Sequence, residues 1–342
     1  MAEESLPARA AAKQATIYDV ARVAGVSHQT VTRFLQGFEG IRPATRSRVE
    51  AALAELDYRP NLTARSLRAR RSHRIGALTH EIDQVGPSKI LQGASTAARE
   101  AGYVLDIVSL DMSDSAAIEE ALDLVTQHEL AGVLALASTD EMTRAFRTTR
   151  FRVPAHLAVE EDDDATRSPS QLTTQGFPAL VAHLADLGHR EFLHLAGPPT
   201  WSAARNRRKA YESAVSRHGL HSTAVLEGDW SARSGYELVR GLDELRATAI
   251  VAANDQMALG AILALTDRGL RVPEDVSVTG VDDIPEAAYL VPPLTTLRVD
   301  FAGQGRSALG ELLALIDGVD AAPHVTLASE LVPRRSSGPA PR

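Results

Sequence analysis

There is no cysteine among the 342 residues, which excludes a disulfide framework, a thiolate zinc site and a cysteine nucleophile together. Nor is there an apolar run long enough to span a bilayer, and Met1 to Gln14 lacks the apolar stretch of a secretory signal. These absences predict a cytoplasmic protein with no membrane partner. A third absence is local. The residues from Arg59 to Arg74 include no acid, yet carry Arg59, Arg65, Arg68, Arg70, Arg71 and Arg74. Such a stretch repels itself until something anionic neutralises it.

What is present begins with size, because 342 residues at 44% hydrophobic suffice for a large core and for more than one domain. The net charge of −8 argues weakly against a nucleic-acid partner, but it conceals a division. Residues 1–74 hold 13 basic and 7 acidic side chains, and the remainder hold 23 and 37. A basic amino end is joined to an acidic body.

The segment from Thr16 to Tyr58 predicts three short helices. Thr16 can cap the first, with Asp19 at its third position near the positive helix end, and Ile17, Val20, Ala21 and Ala24 form an apolar face. Gly25 ends that helix, and Ser27 caps the next only two residues later. In the second helix Val31, Phe34 and Leu35 point inward while His28, Gln29, Thr32 and Arg33 point out. A third helix from about Pro43 turns Val49, Ala52, Leu53 and Leu56 inward and leaves Arg42, Arg46 and Arg48 outside. This is helix-turn-helix spacing, in which the first residues of the second helix enter the major groove of DNA. Glutamine can make two hydrogen bonds to adenine and arginine two to guanine. Gln29 and Arg33 are therefore candidate readers beside His28, with Arg33 serving a base or a phosphate. A helical subdomain with a solvated basic face fits the same pattern.

The run Ile17-Tyr-Asp-Val-Ala-Arg-Val-Ala-Gly-Val-Ser-His-Gln-Thr-Val-Thr-Arg33 closely resembles the headpiece of the lactose/galactose repressor family of transcriptional regulators. Arg59-Pro-Asn-Leu-Thr-Ala-Arg-Ser-Leu67 is similar to that family's hinge. Glu227-Gly-Asp-Trp-Ser231, Val251-Ala-Ala-Asn-Asp-Gln-Met-Ala-Leu-Gly-Ala261 and Pro292-Pro-Leu-Thr-Thr296 are similar to its ligand-binding domain. Several long motifs in the same order, from about Thr16 to Pro333, are far more specific than one short pattern. The resemblance implies DNA contacts at Tyr18, Ser27, His28, Gln29, Thr30, Arg33, Thr45 and Tyr58. It also implies that Asn61 to Arg70 forms a helix when two subunits meet on DNA, with Asn61, Ala64 and Arg65 against the duplex. Leu67 would be the wedge that enters the minor groove, its unstacking cost offset by bending the DNA toward the protein. Without the resemblance the same stretch reads as an ordinary charged linker.

Beyond Arg74 short apolar strands alternate with helices, the signature of parallel sheets with helices on both faces. Strands are expected at Ile75 to Leu78, Val104 to Ser109, Gly132 to Ala137, Phe192 to Ala196, Ala249 to Ala253 and Val276 to Val281, with helices such as Ile90 to Glu100 and Met257 to Arg268 between them. The fold class expected is an all-α helix-turn-helix headpiece joined to an α/β two-lobed body like that of periplasmic binding proteins. The organisation is a disordered tail at 1–15, headpiece at 16–58, hinge at 59–74, effector-binding domain at 75–333 and disordered tail at 334–342. By resemblance, lobe one takes about 75–173 and 300–328, and lobe two about 174–299 and 329–333, with crossings near Thr173, Val299 and Ser329.

In open parallel sheets ligands sit beyond the carboxyl ends of the strands, and here two such ends would face each other across a cleft. The resemblance places Arg207, Asn254 and Asp282 on sugar hydroxyls, with Gln256 nearby and Trp230 and Phe301 as apolar walls. Pro87, Ser88 and Ile90 lie at the rim, where Gln84 replaces an apolar residue. An aromatic face suits the C–H surface of a sugar, although a tryptophan in an α/β domain is also ordinary core. Three positions that are polar in the family's lactose-binding pattern are Val159, Ala203 and Val299 here, and a tyrosine position is Val281. A more apolar pocket follows, with a galactoside as the leading ligand. Each lost hydrogen-bonding group is worth on the order of 1 kcal/mol, enough to shift specificity.

The expected partners are double-stranded palindromic operator DNA, a small sugar effector that releases it, and a second copy of the chain, with no cofactor and a nucleoid location. Palindromic half-sites demand two headpieces about a two-fold axis. The close Arg334-Arg-Ser-Ser-Gly-Pro-Ala-Pro-Arg342 cannot form the leucine-repeat helix by which the family makes tetramers.

Three motifs point elsewhere. Gly303-Gln-Gly305-Arg-Ser-Ala308 fits a dinucleotide fingerprint literally, but it opens a late helix instead of the first strand-to-helix turn. Glu160 to Asp164 could attract a metal, but consecutive carboxylates cannot all converge on one ion, and a solvated loop is expected. His183, His189 and His194 lack ligand spacing, and no Gly-x-Ser-x-Gly accompanies them. The competing class is a sugar-binding or sugar-processing α/β protein without operator binding. A carrier would not need the basic headpiece, and an enzyme would need an acid–base pair or nucleophile not evident in the sequence.

Overall fold

The computed structural model describes residues 15–35, 37–58, 72–80, 82, 84–110, 120, 129–163, 170, 172–321 and 327–342. The chain divides into two compact units between Ser72 and His73. All but the last residue of the expected tail at 1–15, and residues 59–71 of the expected hinge, with Asn61, Ala64, Arg65 and Leu67, lie outside the described residues.

In the amino-terminal unit α1 (Ile17–Ala24), α2 (His28–Leu35) and α3 (Pro43–Glu55) form a three-helix cluster. Thr16 and Asp19 make a reciprocal capping box: Thr16 Oγ1 accepts from the Asp19 N–H at 3.3 Å, and the Asp19 carboxylate accepts from the Thr16 N–H at 2.9 Å. Gly25 then stops α1 in the left-handed region at φ 62°. Ser27 Oγ accepts from the Thr30 N–H at 3.2 Å, which starts α2. Val20, Ala21, Ala24, Val31, Val49 and Ala52 are the buried core, and Ile17, Phe34, Leu35, Leu53, Leu56 and Tyr58 pack around it.

The second unit carries two sheets. Four parallel strands in the order β2-β1-β3-β4 comprise β1 (Arg74–His80), β2 (Val104–Leu110), β3 (Gly132–Ala137) and β4 (Ala155–Val159). Six strands in the order β10-β9-β8-β7-β5-β6 comprise β5 (Glu191–Ala196), β6 (His221–Glu227), β7 (Ala249–Ala252), β8 (Ser277–Asp282), β9 (Thr295–Arg298) and β10 (Glu330–Val332). Among the described strands only β10 runs antiparallel, against β9. Between strands lie α4 (Val85–Glu100), α5 (Asp140–Thr148), α6 (Phe177–Asp186), α7 (Ser202–Arg217), α8 (Ala232–Arg240), α9 (Asp255–Asp267) and α10 (Phe301–Asp317). Strands β3, β7 and β8 are buried along their whole length, as parallel strands covered on both faces are. The chain passes from the first sheet to the second after β4, returns after β9 so that α10 packs on the first sheet's core, and crosses once more to β10. Arg74, expected as the last hinge residue, instead begins β1, its guanidinium 2.7 Å from Asp106.

The glycine repeat in α10 has a packing role. A methyl group at Gly305 would lie 1.9 Å from the Ile90 carbonyl oxygen, and one at Gly93 would lie 2.0 Å from that of Ala302. The two helices therefore meet backbone to backbone, an approach that only glycine permits.

The three histidines are structural. His194 is fully buried, its Nδ1 2.7 Å from the Val251 carbonyl and its ring stacked on Tyr211. Burial lowers its pKa to about 4. A base held below its unfolded value of 6.5 adds stability above that pH and loses it as the pH falls through the folded value. The melting temperature is therefore expected to drop between pH 6.5 and about 4, and His194→Phe to drop less over the same interval; parallel melting curves would remove the assignment.

His183 and His189 hold the carboxyl end. The closing residues, expected as a disordered tail, form an ordered strap across β8 and β9. Ser336 is completely buried; its Oγ donates to the Val278 carbonyl at 2.6 Å and accepts from the Thr295 N–H at 2.8 Å. Arg334 donates to the Leu294 carbonyl and pairs with Asp283. Ser337 meets His183, and the Gly338 carbonyl meets His189. Serine, glycine and arginine give no helix or strand period, yet they supply the polar atoms that satisfy these strand ends.

Candidate functional site

The carboxyl ends of both sheets open onto a cavity of about 500 Å³, within the size range of small-ligand sites. Lobe two supplies its polar end from one helix and two strand ends. Arg207 comes from the second turn of α7, Asn254 from the cap of α9 after β7, and Asp282 from the end of β8. The Asn254 amide is fixed three times, since Oδ1 accepts from the Met257 N–H at 2.9 Å and Nδ2 donates to the Trp230 carbonyl at 2.8 Å and to Gln256 Oε1 at 3.2 Å. Arg207 is buried, its guanidinium 5.3 Å over the Trp230 ring, 3.6 Å from Asp282 Oδ1 and bonded to the Ala253 carbonyl. Trp201 meets Trp230 edge to face at 5.6 Å between ring centroids.

Three buried atoms here have no hydrogen-bond partner among the described residues: Arg207 Nε, Trp230 Nε1 and Asp282 Oδ1. Unsatisfied buried polar atoms are costly, and in a native fold each calls for an explanation. Trp230 and Asp282 also sit at positive φ, 72° and 117°, backbone strain of the kind that gathers at ligand sites. Burial raises the Asp282 carboxyl above its ordinary range, opposed by Arg207 and Lys89. Asp255, raised by burial and then by Asp282, is held by the Ile284 N–H and the Thr296 hydroxyl.

Of the residues named from sequence, Pro87, Ile90, Arg207, Trp230, Asn254, Gln256, Asp282 and Phe301 line this cavity. Ser88 does not: it lies on the outer side of the first turn of α4, exposed to solvent. Gln84, Val159, Ala203 and Val299 line it, but Val281 is buried in the core of lobe two. The described part of the acidic run is solvated only in part: Glu161 is exposed, but its neighbours are tied to α7. Glu160 Oε1 accepts from Asn206 Nδ2 at 3.1 Å, the Asp163 N–H donates to Asn206 Oδ1 at 2.9 Å, and Arg205 bridges Asp162 and Asp140, each at 2.9 Å. These contacts clasp lobe one to the start of α7 and put Glu160 on the cavity wall. No group of possible metal ligands occurs among the described residues, and Asp164 lies outside them.

In the amino-terminal unit His28, Gln29 and Arg33 are exposed on one side of α2. Tyr18 packs its ring on His28 at 5.3 Å between centroids, and the Arg33 guanidinium lies 5.7 Å over Phe38. Ser27, Thr30, Arg33, Arg42 and Thr45 share one concave patch. Tyr58 is half-buried against the helical core.

Residues 16–61 match the family description of bacterial regulatory proteins, lacI family, and residues 181–337 that of a periplasmic binding protein-like domain. The lactose operon repressor of Escherichia coli (strain K12) is 34% identical over 328 residues, 95% of this chain and 91% of that protein. The chain belongs to the lacI family of bacterial regulatory proteins. The ribose operon repressor of the same organism is 33% identical over 87% of this chain and 90% of its own length. Among solved structures, the lac repressor dimer bound to operator and the anti-inducer ONPF superposes with a TM-score of 0.82 at 33% identity, covering 95% of this chain and 100% of that one. A complex of the transcriptional regulator CelR with cellobiose gives 0.67 at 27% identity, covering 94% and 100%. This lacI-family chain is thus a DNA-binding transcriptional regulator and not an enzyme, with a helix-turn-helix amino end and a binding-protein-like α/β body. The relatives serve different operons, so family membership leaves the ligand open.

Motif reading finds the lobe-two half of the cavity and leaves out most of lobe one's, including Glu160, Leu157, His156 and the α10 residues Gln304, Ser307 and Glu311, as well as Trp201. Trp201 carries one available signal, being one of only two tryptophans. Gln304, Ser307 and Glu160 fall inside the dinucleotide-like and acidic runs, whose patterns point to other chemistry, and His156, Leu157 and Glu311 sit in no motif.

Proposed function

We propose that this chain is a dimeric repressor that grips a palindromic operator through two α2 helices and releases it when a neutral sugar, a galactoside first, binds between the lobes. The observation that carries the ligand half is the group of unpartnered buried atoms on Arg207, Trp230 and Asp282 beside an aromatic wall. Guanidinium, indole N–H and carboxylate are donors and acceptors of the directional bonds that hydroxyls need, and the tryptophan face suits sugar C–H groups. The DNA half rests on the exposed Gln29 and Arg33. The dimer reading follows the operator-bound relative.

Ligand binding that favours one placement of the lobes controls the spacing of the two hinges. Operator and sugar then weaken each other by one coupling factor, typically 1–3 kcal/mol. Anisotropy titrations of labelled operator with and without galactosides test this, and a sugar affinity identical in free and operator-bound protein would refute it.

Gln29→Ala is expected to lower discrimination against a changed base pair by about 1–3 kcal/mol. Arg65→Ala is expected to weaken binding to all sequences alike and to flatten the salt dependence by about one phosphate contact. Binding isotherms at three salt concentrations separate the two. An unchanged salt slope for Arg65→Ala would count against a hinge contact to phosphate.

A further inference from the structure

The cavity extends beyond the residues that carry family motifs. Past Phe301 it continues between α10 and β4, lined by Gln304, Ser307 and Glu311 on the helix and His156 on the strand. These helix residues lie three and four apart and share one face. At 1.5 Å per residue, the stretch from Phe301 to Glu311 runs about 15 Å, longer than one sugar ring. At the far end His156 Nε2 lies 3.4 Å from Glu311 Oε2.

Strand β4 is the edge of its sheet. The bond from the Val133 N–H to the Pro154 carbonyl at 2.9 Å sets which residues of β4 face β3. Leu157 and Val159 consequently turn their N–H and C=O groups to the edge that no described strand covers. Both residues line the cavity. The groove thus has polar groups at each end and an apolar waist at Ile90, Leu136, Val299 and Phe301.

Charge narrows the ligand class. Glu160, Asp282, Asp300 and Glu311 face this space against the one guanidinium of Arg207, so an anionic ligand would meet carboxylates along its length.

We propose that the cavity takes an uncharged glycoside of at least two sugar units, the first held by Arg207, Asn254 and Asp282 and the second by a subsite formed of Gln304, Ser307, Glu311 and the outward backbone groups of Leu157 and Val159 on β4. This rests on the sugar-effector reading above and adds the length of the effector and the residues that hold its second unit.

Calorimetric titration of the full chain tests it with methyl galactoside and methyl glucoside, with lactose, melibiose, cellobiose and maltose, and with galactose 6-phosphate. At least one disaccharide is expected to bind tenfold or more tightly than the methyl glycoside of its own terminal sugar, and the phosphate not at all. Gln304→Leu, at an exposed position of α10, and separately Ser307→Ala, are expected to remove five- to tenfold of disaccharide affinity and to leave the methyl glycoside unchanged. Methyl glycosides binding as tightly as every disaccharide, tight binding of the phosphate, or variants that shift both ligand lengths equally would overturn the subsite and leave the sugar reading standing. Binding of none of these saccharides would overturn both.

Discussion

Arg207→Leu is expected to make the regulator deaf to its effector, with sugar affinity down at least a hundredfold and operator binding retained. Arg207 is the guanidinium on the cavity wall, and hydrogen bonds to a charged group are worth about 1.5–3 kcal/mol each, so losing two gives that factor. Its removal also leaves the buried Asp282 without the cation 3.6 Å away. Breaking a buried pair costs roughly 3–5 kcal/mol, less here because the raised Asp282 carboxyl can take up a proton. Arg207→Lys keeps the charge and loses the planar fork, so it is expected to fall between the two. Calorimetry for the sugar, with operator titration as the control for folding, checks this. Sugar affinity within threefold of the parent would dismiss Arg207 as a ligand contact.

The second large effect is expected at the other end of the chain. Truncation after Pro333 removes the strap and orphans the Val278 N–H and carbonyl and the Thr295 N–H, all bonded to Ser336. At about 1–3 kcal/mol for each buried group left unsatisfied, the loss is about 3–9 kcal/mol, a large part of the 5–15 kcal/mol typical of a folded protein. The truncated chain is expected to melt at least about 6 °C lower or to aggregate. Ser336→Ala alone is expected to cost about 1–3 kcal/mol. A truncated chain that melts within about 2 °C of the parent would mean that the strap adds little.

Much of the functional surface is legible in the sequence, but unevenly. The headpiece is local: capping at Thr16, the stop at Gly25 and the second cap at Ser27 all act within a few residues, and the structure has each of them. Arg207, Asn254 and Asp282 are found because they sit inside motifs shared with the family. Glu160 is not, since its neighbours in sequence are four more positions of an apparently solvated run and its partner Asn206 is 46 positions away. Ser88 fails for the opposite reason. Its neighbours Pro87 and Ile90 face the cavity, but at 100° per residue a helical position beside them turns outward.

By itself the sequence determined the helix-turn-helix, the alternation of strands and helices, and the division into a basic end and an acidic body, because caps, periodicity and charge are properties of short windows. Only the tertiary structure decided that α10 and β4 enclose a second stretch of cavity, that the acidic run clasps α7, and that the closing residues are ordered. Those outcomes depend on which distant strand ends are left with unpaired backbone groups once the sheets have formed, as Val278 and Thr295 are until Ser336, 41 positions beyond Thr295, reaches them.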